Sequence, residues 1–217
     1  EAITGIKSNQ NTKISIGSSQ NSDAKFTNCR TGVEMQNDFF TTSKIIKAKF
    51  DYQQAVEEGF NEGLDNHIYL NSINGLNIWG TQFINSDAAS NFVGNYRGTG
   101  IKAINSNFNV LKNQWNVSNV EECQPPAQTE PPCLFRELSV GIDATYLQPN
   151  YYLGYPIKVL NNRFEDCRHA MHFGNGNSII VFENEIIIGD VNLGKESIYN
   201  LDGNYGISTL GTSQFEF

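Results

Sequence analysis

The sequence predicts an all-β chain built from stacked coils of short strands, a β-solenoid. Three observations carry this. An eight-residue pattern recurs along the chain, a shorter glycine-led pattern follows it, and the polarity comes from Asn, Ser, Thr, Gln and Gly more than from charge. Charged residues are only 18% of the 217. Asn and Gly tolerate left-handed backbone, so a chain rich in both turns often.

The octads are "SKIIKAKF" ending at Phe50, "LNIWGTQF" at Phe83, "FNVLKNQW" at Trp115, "IKVLNNRF" at Phe164 and "IIVFENEI" at Ile186, with Phe26 closing a degenerate first copy. The third position is β-branched throughout (Ile45, Ile78, Val110, Val159, Val181) and the eighth is large and apolar. Alternation over four to eight residues is the period of a strand, not of a helix. Only "YQQAVEEGFNEGL", Tyr52 to Leu64, suits a short helix.

The second pattern reads "GVEM", "HIYL", "GIKA", "GIDA", "AMHF" and "GIST", beginning at Gly32, His67, Gly100, Gly141, Ala170 and Gly206. Each period therefore holds two short strands separated by turns. Octad ends lie as little as 22 residues (164 to 186) and 24 residues (26 to 50) apart. Longer intervals are this unit plus insertions, as solenoids permit at their loops. One domain over 1–217 is expected, a piece of a longer protein, with insertions near 52–65, 86–99 and 119–140.

Stacked coils would align Phe50, Phe83, Trp115, Phe164 and Ile186 as an inward column. Asn113, Asn162 and Asn184 would form an asparagine ladder in the turns, where side-chain amides satisfy backbone groups of the next coil. The fourth octad position is the unexpected one. Ile46, Trp79, Leu111, Leu160 and Phe182 form an apolar stripe where an outward face is expected, either covered by the chain's own loops or forming an interface.

These octads, followed by Gly-apolar-x-apolar, resemble the repeat of the right-handed parallel β-helix, the architecture of the pectate-lyase-like superfamily. The resemblance spans roughly Gly5 to Leu210. The wording of "KVLNNRFEDCRHAMHF" and the Pro-rich insertion also resemble secreted or cell-surface proteins of Bacteroidetes-type bacteria. An extracellular or cell-surface location is the implication.

Charge and chemistry narrow the function. With 15 Lys+Arg against 23 Asp+Glu, the net charge is -8 and the pI about 4.9, which argues against nucleic acid as a partner. No apolar run reaches the roughly 20 residues of a membrane span. Cys123 and Cys133 bracket the proline-rich "CQPPAQTEPPC", where a disulfide is expected in an oxidising compartment, while Cys29 and Cys167 read as small buried hydrophobes.

Asp166, Arg168, His169 and His172 make "EDCRHAMH" the densest ionisable group and the candidate catalytic set, with His169 or Arg168 as base. Their plain alternative is an outward coil surface. No metal site is expected. Calcium is the one cofactor the resemblance admits, but no second acidic column accompanies the first. Trp79, Tyr96, Tyr151 and Tyr152 are the candidate binding residues, the tyrosines because insertion aromatics beside Asn and Gln suit sugar rings, and Trp79 as part of the apolar stripe. The expectation is a non-catalytic extracellular module, structural or adhesin-like, meeting a polysaccharide or protein partner. The alternatives are a polysaccharide lyase or glycoside hydrolase working in a groove, and a subunit of a larger surface assembly.

Overall fold

The structure, a computed structural model, describes residues 2–10, 12–17, 24–38, 43–53, 63–86, 97–112, 131–147, 157–174, 178–182, 185–187, 205–210 and 214–216. Among these the chain is all-β. In chain order the strands are β1 (Ala2–Asn9), β2 (Ser15–Ile16), β3 (Lys25–Thr27), β4 (Cys29–Asp38), β5 (Lys44–Ile46), β6 (Lys49–Tyr52), β7 (Asn66–Trp79) and β8 (Gln82–Asn85). They continue as β9 (Thr99–Ile104), β10 (Asn107–Leu111), β11 (Leu134–Arg136), β12 (Val140–Thr145), β13 (Ile157–Leu160), β14 (Arg163–Glu165) and β15 (His169–Gly174). The last are β16 (Ser178–Phe182), β17 (Glu185–Ile187), β18 (Tyr205–Leu210) and β19 (Gln214–Glu216).

They form a 13-stranded and a 6-stranded sheet, and every pairing is parallel. The larger sheet is two ladders joined through the long β7. The first ladder runs β1, β4, β7, β9, β12, β15, β18. The second runs β2, β5, β7, β10, β13, β16, β19. The smaller sheet is the third ladder, β3, β6, β8, β11, β14, β17. The chain visits first, second and third ladder in turn, and each visit pairs with the previous one.

Octad positions one and three point inward, as the alternation requires. Leu76, Ile78, Phe108, Val110, Ile157 and Val159 are all fully or almost fully buried in one core. The aromatic column differs from expectation. It stacks Phe26, Phe50, Phe83, Phe135 and Phe164, with successive ring centroids 4.5, 5.3, 4.7 and 4.7 Å apart. Phe135, not Trp115, stands between Phe83 and Phe164. The third ladder needs a strand that turns the corner directly into the next first-ladder strand, and Leu134–Arg136 precedes Val140–Thr145 as Arg163–Glu165 precedes His169–Gly174. Residues 134–136 and 140 are thus ladder strand rather than the end of an insertion at 119–140. Trp115 lies outside the described residues.

The glycines that open the first-ladder strands face this column. A Cβ on Gly100 would lie 2.7 Å from Phe135 Cδ1, and one on Gly141 would lie 2.7 Å from Phe164 Cδ1. Both would also stand 2.5 Å from the carbonyl oxygen of the adjacent strand. Hence "GIKA" and "GIDA" begin with glycine because ring and backbone already fill the place of a side chain.

The asparagine ladder is corrected to a mixed column. Backbone N–H groups of Lys49, Gln82, Leu134 and Arg163 donate to the carbonyls of Ala24, Ala48, Thr81 and Cys133 at 2.8 to 3.0 Å, which aligns those four residues and then Asn162. Asn162 does bond to the preceding pass, its Nδ2 donating to Val110 O at 2.9 Å. Cys133 holds the place expected for Asn113, which lies outside the described residues, as does Asn184.

Candidate functional site

Along the first ladder the inward residues Ile68, Leu70, Ile101, Ile142, Met171 and Phe173 are buried, so the residues between them face out. The register aligns the outward residues Lys7 with Glu34, Glu34 with Tyr69, Tyr69 with Lys102, Lys102 with Asp143, and Asp143 with His172. Lys7 Nζ lies 2.8 Å from Glu34 Oε1. Lys102 Nζ lies 3.2 Å from Asp143 Oδ2, and His172 Nδ1 lies 2.9 Å from Asp143 Oδ1. One carboxylate thus ties three successive strands, each of its oxygens serving a different partner.

This geometry divides the "EDCRHAMH" group. His172 meets Asp143, a residue from another strand. Asp166 occupies the corner before β15 with φ 51°, where an Asp tolerates left-handed backbone. The Arg168 side chain is exposed, and its N–H donates to Leu138 O at 3.0 Å. The His169 imidazole is lowered below its ordinary pKa, by burial first and then by the charges of His172 and Arg168. Of the four, His172 has its side chain hydrogen-bonded to a carboxylate at 2.9 Å, and that carboxylate, Asp143, comes from outside the group.

Other ionisable groups are also bound pass to pass. Glu165 takes Arg136 Nε at 2.5 Å on one oxygen and Arg163 Nε at 2.5 Å on the other. Across the next corner the Glu137 carboxyl is raised, by burial first and then by the Asp166 charge. Asp51, 3% exposed, lies 2.7 Å from Lys49 Nζ and accepts hydrogen bonds from Gln53 Nε2 and Ser86 Oγ at 2.7 Å each. Burial would raise its carboxyl, but these donors outweigh it and hold it low. His67, opening the first-ladder segment of β7 where other strands have glycine or alanine, is 2% exposed beside Phe50 and Phe83. Its Nε2 is 3.0 Å from Ile84 O, and burial pushes its pKa down to about 3.

The expected binding residue Trp79 is corrected. It is 7% exposed and clusters with Ile46, Leu111 and Leu160, so the ring offers no open face to a ligand. The stripe it belongs to is buried at Ile46, Trp79 and Leu111 rather than presented as a free surface. Tyr96, Tyr151 and Tyr152 lie outside the described residues.

The expected Cys123–Cys133 disulfide falls partly outside the described residues. Cys133 is a free, fully buried thiol, and Cys123 lies outside the described residues. Thr81 N–H donates to Cys133 Sγ at 3.4 Å, and the thiol reaches Leu111 O at 3.5 Å. Burial pushes the Cys133 and Cys167 thiols up to about 12, so neither offers a thiolate at neutral pH. Among the described residues no three His, Cys, Asp or Glu side chains converge as a metal-ligand set. Among the described residues no helix is long and apolar enough to cross a membrane.

No family model, curated protein or solved structure matches the chain. The residue that sequence reading passed over on this face is Tyr69. Its signal was the outward position of "HIYL", which becomes significant only once its neighbours across the ladder are known.

Proposed function

We propose that the three ladders are the faces of a right-handed parallel β-helix, pectate-lyase-like in architecture, and that it serves as a non-catalytic module of a secreted or cell-surface protein. Its role is structural or adhesin-like, a rigid display surface that contacts glycan. The observation that supports this best is how the outward charges are used. The Lys7–Glu34, Lys102–Asp143, His172–Asp143 and Arg136–Glu165 pairs each tie one strand to the next. A hydrolase or lyase needs carboxylates or a base converging on one substrate atom.

A second reading, a polysaccharide lyase or glycoside hydrolase, is favoured by one contact. Asp143 holds His172 Nδ1 and leaves Nε2 without a hydrogen-bond partner among the described residues, the arrangement that orients a general base. A turnover screen on acidic and neutral polysaccharides, with and without calcium, separates the two. The module reading expects no cleavage. Clear cleavage abolished by His172→Gln or Arg168→Ala would overturn it.

A further inference from the structure

We infer that the outward face of the first ladder, centred on Tyr69, binds an uncharged glycan lying along the direction in which the strands stack. This rests on the glycan-contacting reading above and gives it a place and a ligand class.

Tyr69 is flanked in its own strand by the fully buried Ile68 and Leu70 and takes an outward position, where it is itself half-buried, so part of its side chain is open to solvent. Among the described residues its hydroxyl has no hydrogen-bond partner. The register sets Glu34 on one side of it and Lys102 on the other. Both are already neutralised farther along the column, Glu34 by Lys7 at 2.8 Å and Lys102 by Asp143 at 3.2 Å. The next outward row sets Gln36 opposite Asn71. Gln36 Nε2 donates to Glu34 Oε1 at 2.6 Å, and Asn71 Oδ1 accepts from Ser72 Oγ at 3.1 Å. Gln36 Oε1 remains as an acceptor and Asn71 Nδ2 as a donor.

The charge pattern selects the occupant. A polyanion finds no unpaired cation at the centre of this face, since each positive group there already has its carboxylate. An apolar protein surface would desolvate the ion pairs at a cost their attraction does not repay. A neutral sugar ring meets both conditions. Its C–H face covers the aromatic ring, and its hydroxyls, which donate and accept, match a mixed row of amides and paired charges.

The test is affinity electrophoresis of the whole chain in gels containing soluble β-glucan, xylan, mannan or polygalacturonate. Retardation by a neutral polymer is expected, unchanged by a roughly tenfold rise in salt because no net charge is exchanged. Tyr69→Ala should weaken it at least about tenfold while Tyr69→Phe, which keeps the ring, stays within about threefold. Thermal scans establish that both variants are folded. Retardation by polygalacturonate alone, none by any neutral polymer, or full binding by folded Tyr69→Ala would overturn the inference. Self-association abolished by Tyr69→Ala would assign the face to a second copy and overturn it equally. None of these results touches the non-catalytic reading, which the turnover screen decides separately.

Discussion

At the scale of single residues, His67 shows how far the packed column bends ordinary chemistry. An imidazole lies between phenylalanine rings because its Nε2 reaches Ile84 O, and burial holds its pKa at about 3. The unfolded chain returns it to about 6.5. Below that value the unfolded state binds the proton and the folded state does not. This residue's contribution is therefore intact at neutral pH and is lost at about 1.4 kcal/mol per pH unit as pH falls from 6.5 towards 3. Urea midpoints at pH 7, 6 and 5 should fall more steeply for the wild type than for His67→Gln, even though the variant starts lower. Parallel slopes would mean that the imidazole is solvated. None of this was legible in "HIYL", because only the rings stacked around the position reveal the burial.

At the scale of elements, the octads foretold the inward positions because burial follows the two-residue period of one strand. The eighth-position column was legible at Phe50, Phe83 and Phe164 but not at the residue between the last two. "FNVLKNQW" fits the octad, yet only its first half is ladder strand among the described residues, and β11 supplies Phe135 after 113–130. The sequence does carry a signal for this. Phe26 to Gly32, Phe135 to Gly141 and Phe164 to Ala170 are the same six-residue step, and Trp115 has no such follower. Phe135→Ala should cost about 3–5 kcal/mol through the cavity left between two rings, measured by urea denaturation. Leu147→Ala, at a side chain 65% exposed, should stay within about 0.5 kcal/mol. Equal costs would place Phe135 outside the column. The Asp143–His172 contact was illegible for a different reason. Its partners are 29 residues apart and meet only through strand register, which no local pattern specifies.

At the scale of the whole molecule, the fold is a matter of pairing between passes, and strand register is what builds the candidate site. Shifting β12 against β9 by one residue would turn Asp143 inward and dismantle both the ion-pair column and the core beneath it. Disulfide trapping reads that register directly. Lys102 and Asp143 are Cα partners across β9 and β12. Adjacent strands stand about 4.8 Å apart, within disulfide reach. Thr145 pairs instead with Ile104. That places its Cα roughly 8 Å from Lys102, too far for a bridge without backbone movement. Under mild oxidation, non-reducing peptide mapping should find the bridge in Lys102→Cys/Asp143→Cys and not in Lys102→Cys/Thr145→Cys. The reverse result, or equal bridging in both, would contradict the stacked parallel register on which the fold and the proposed glycan face depend.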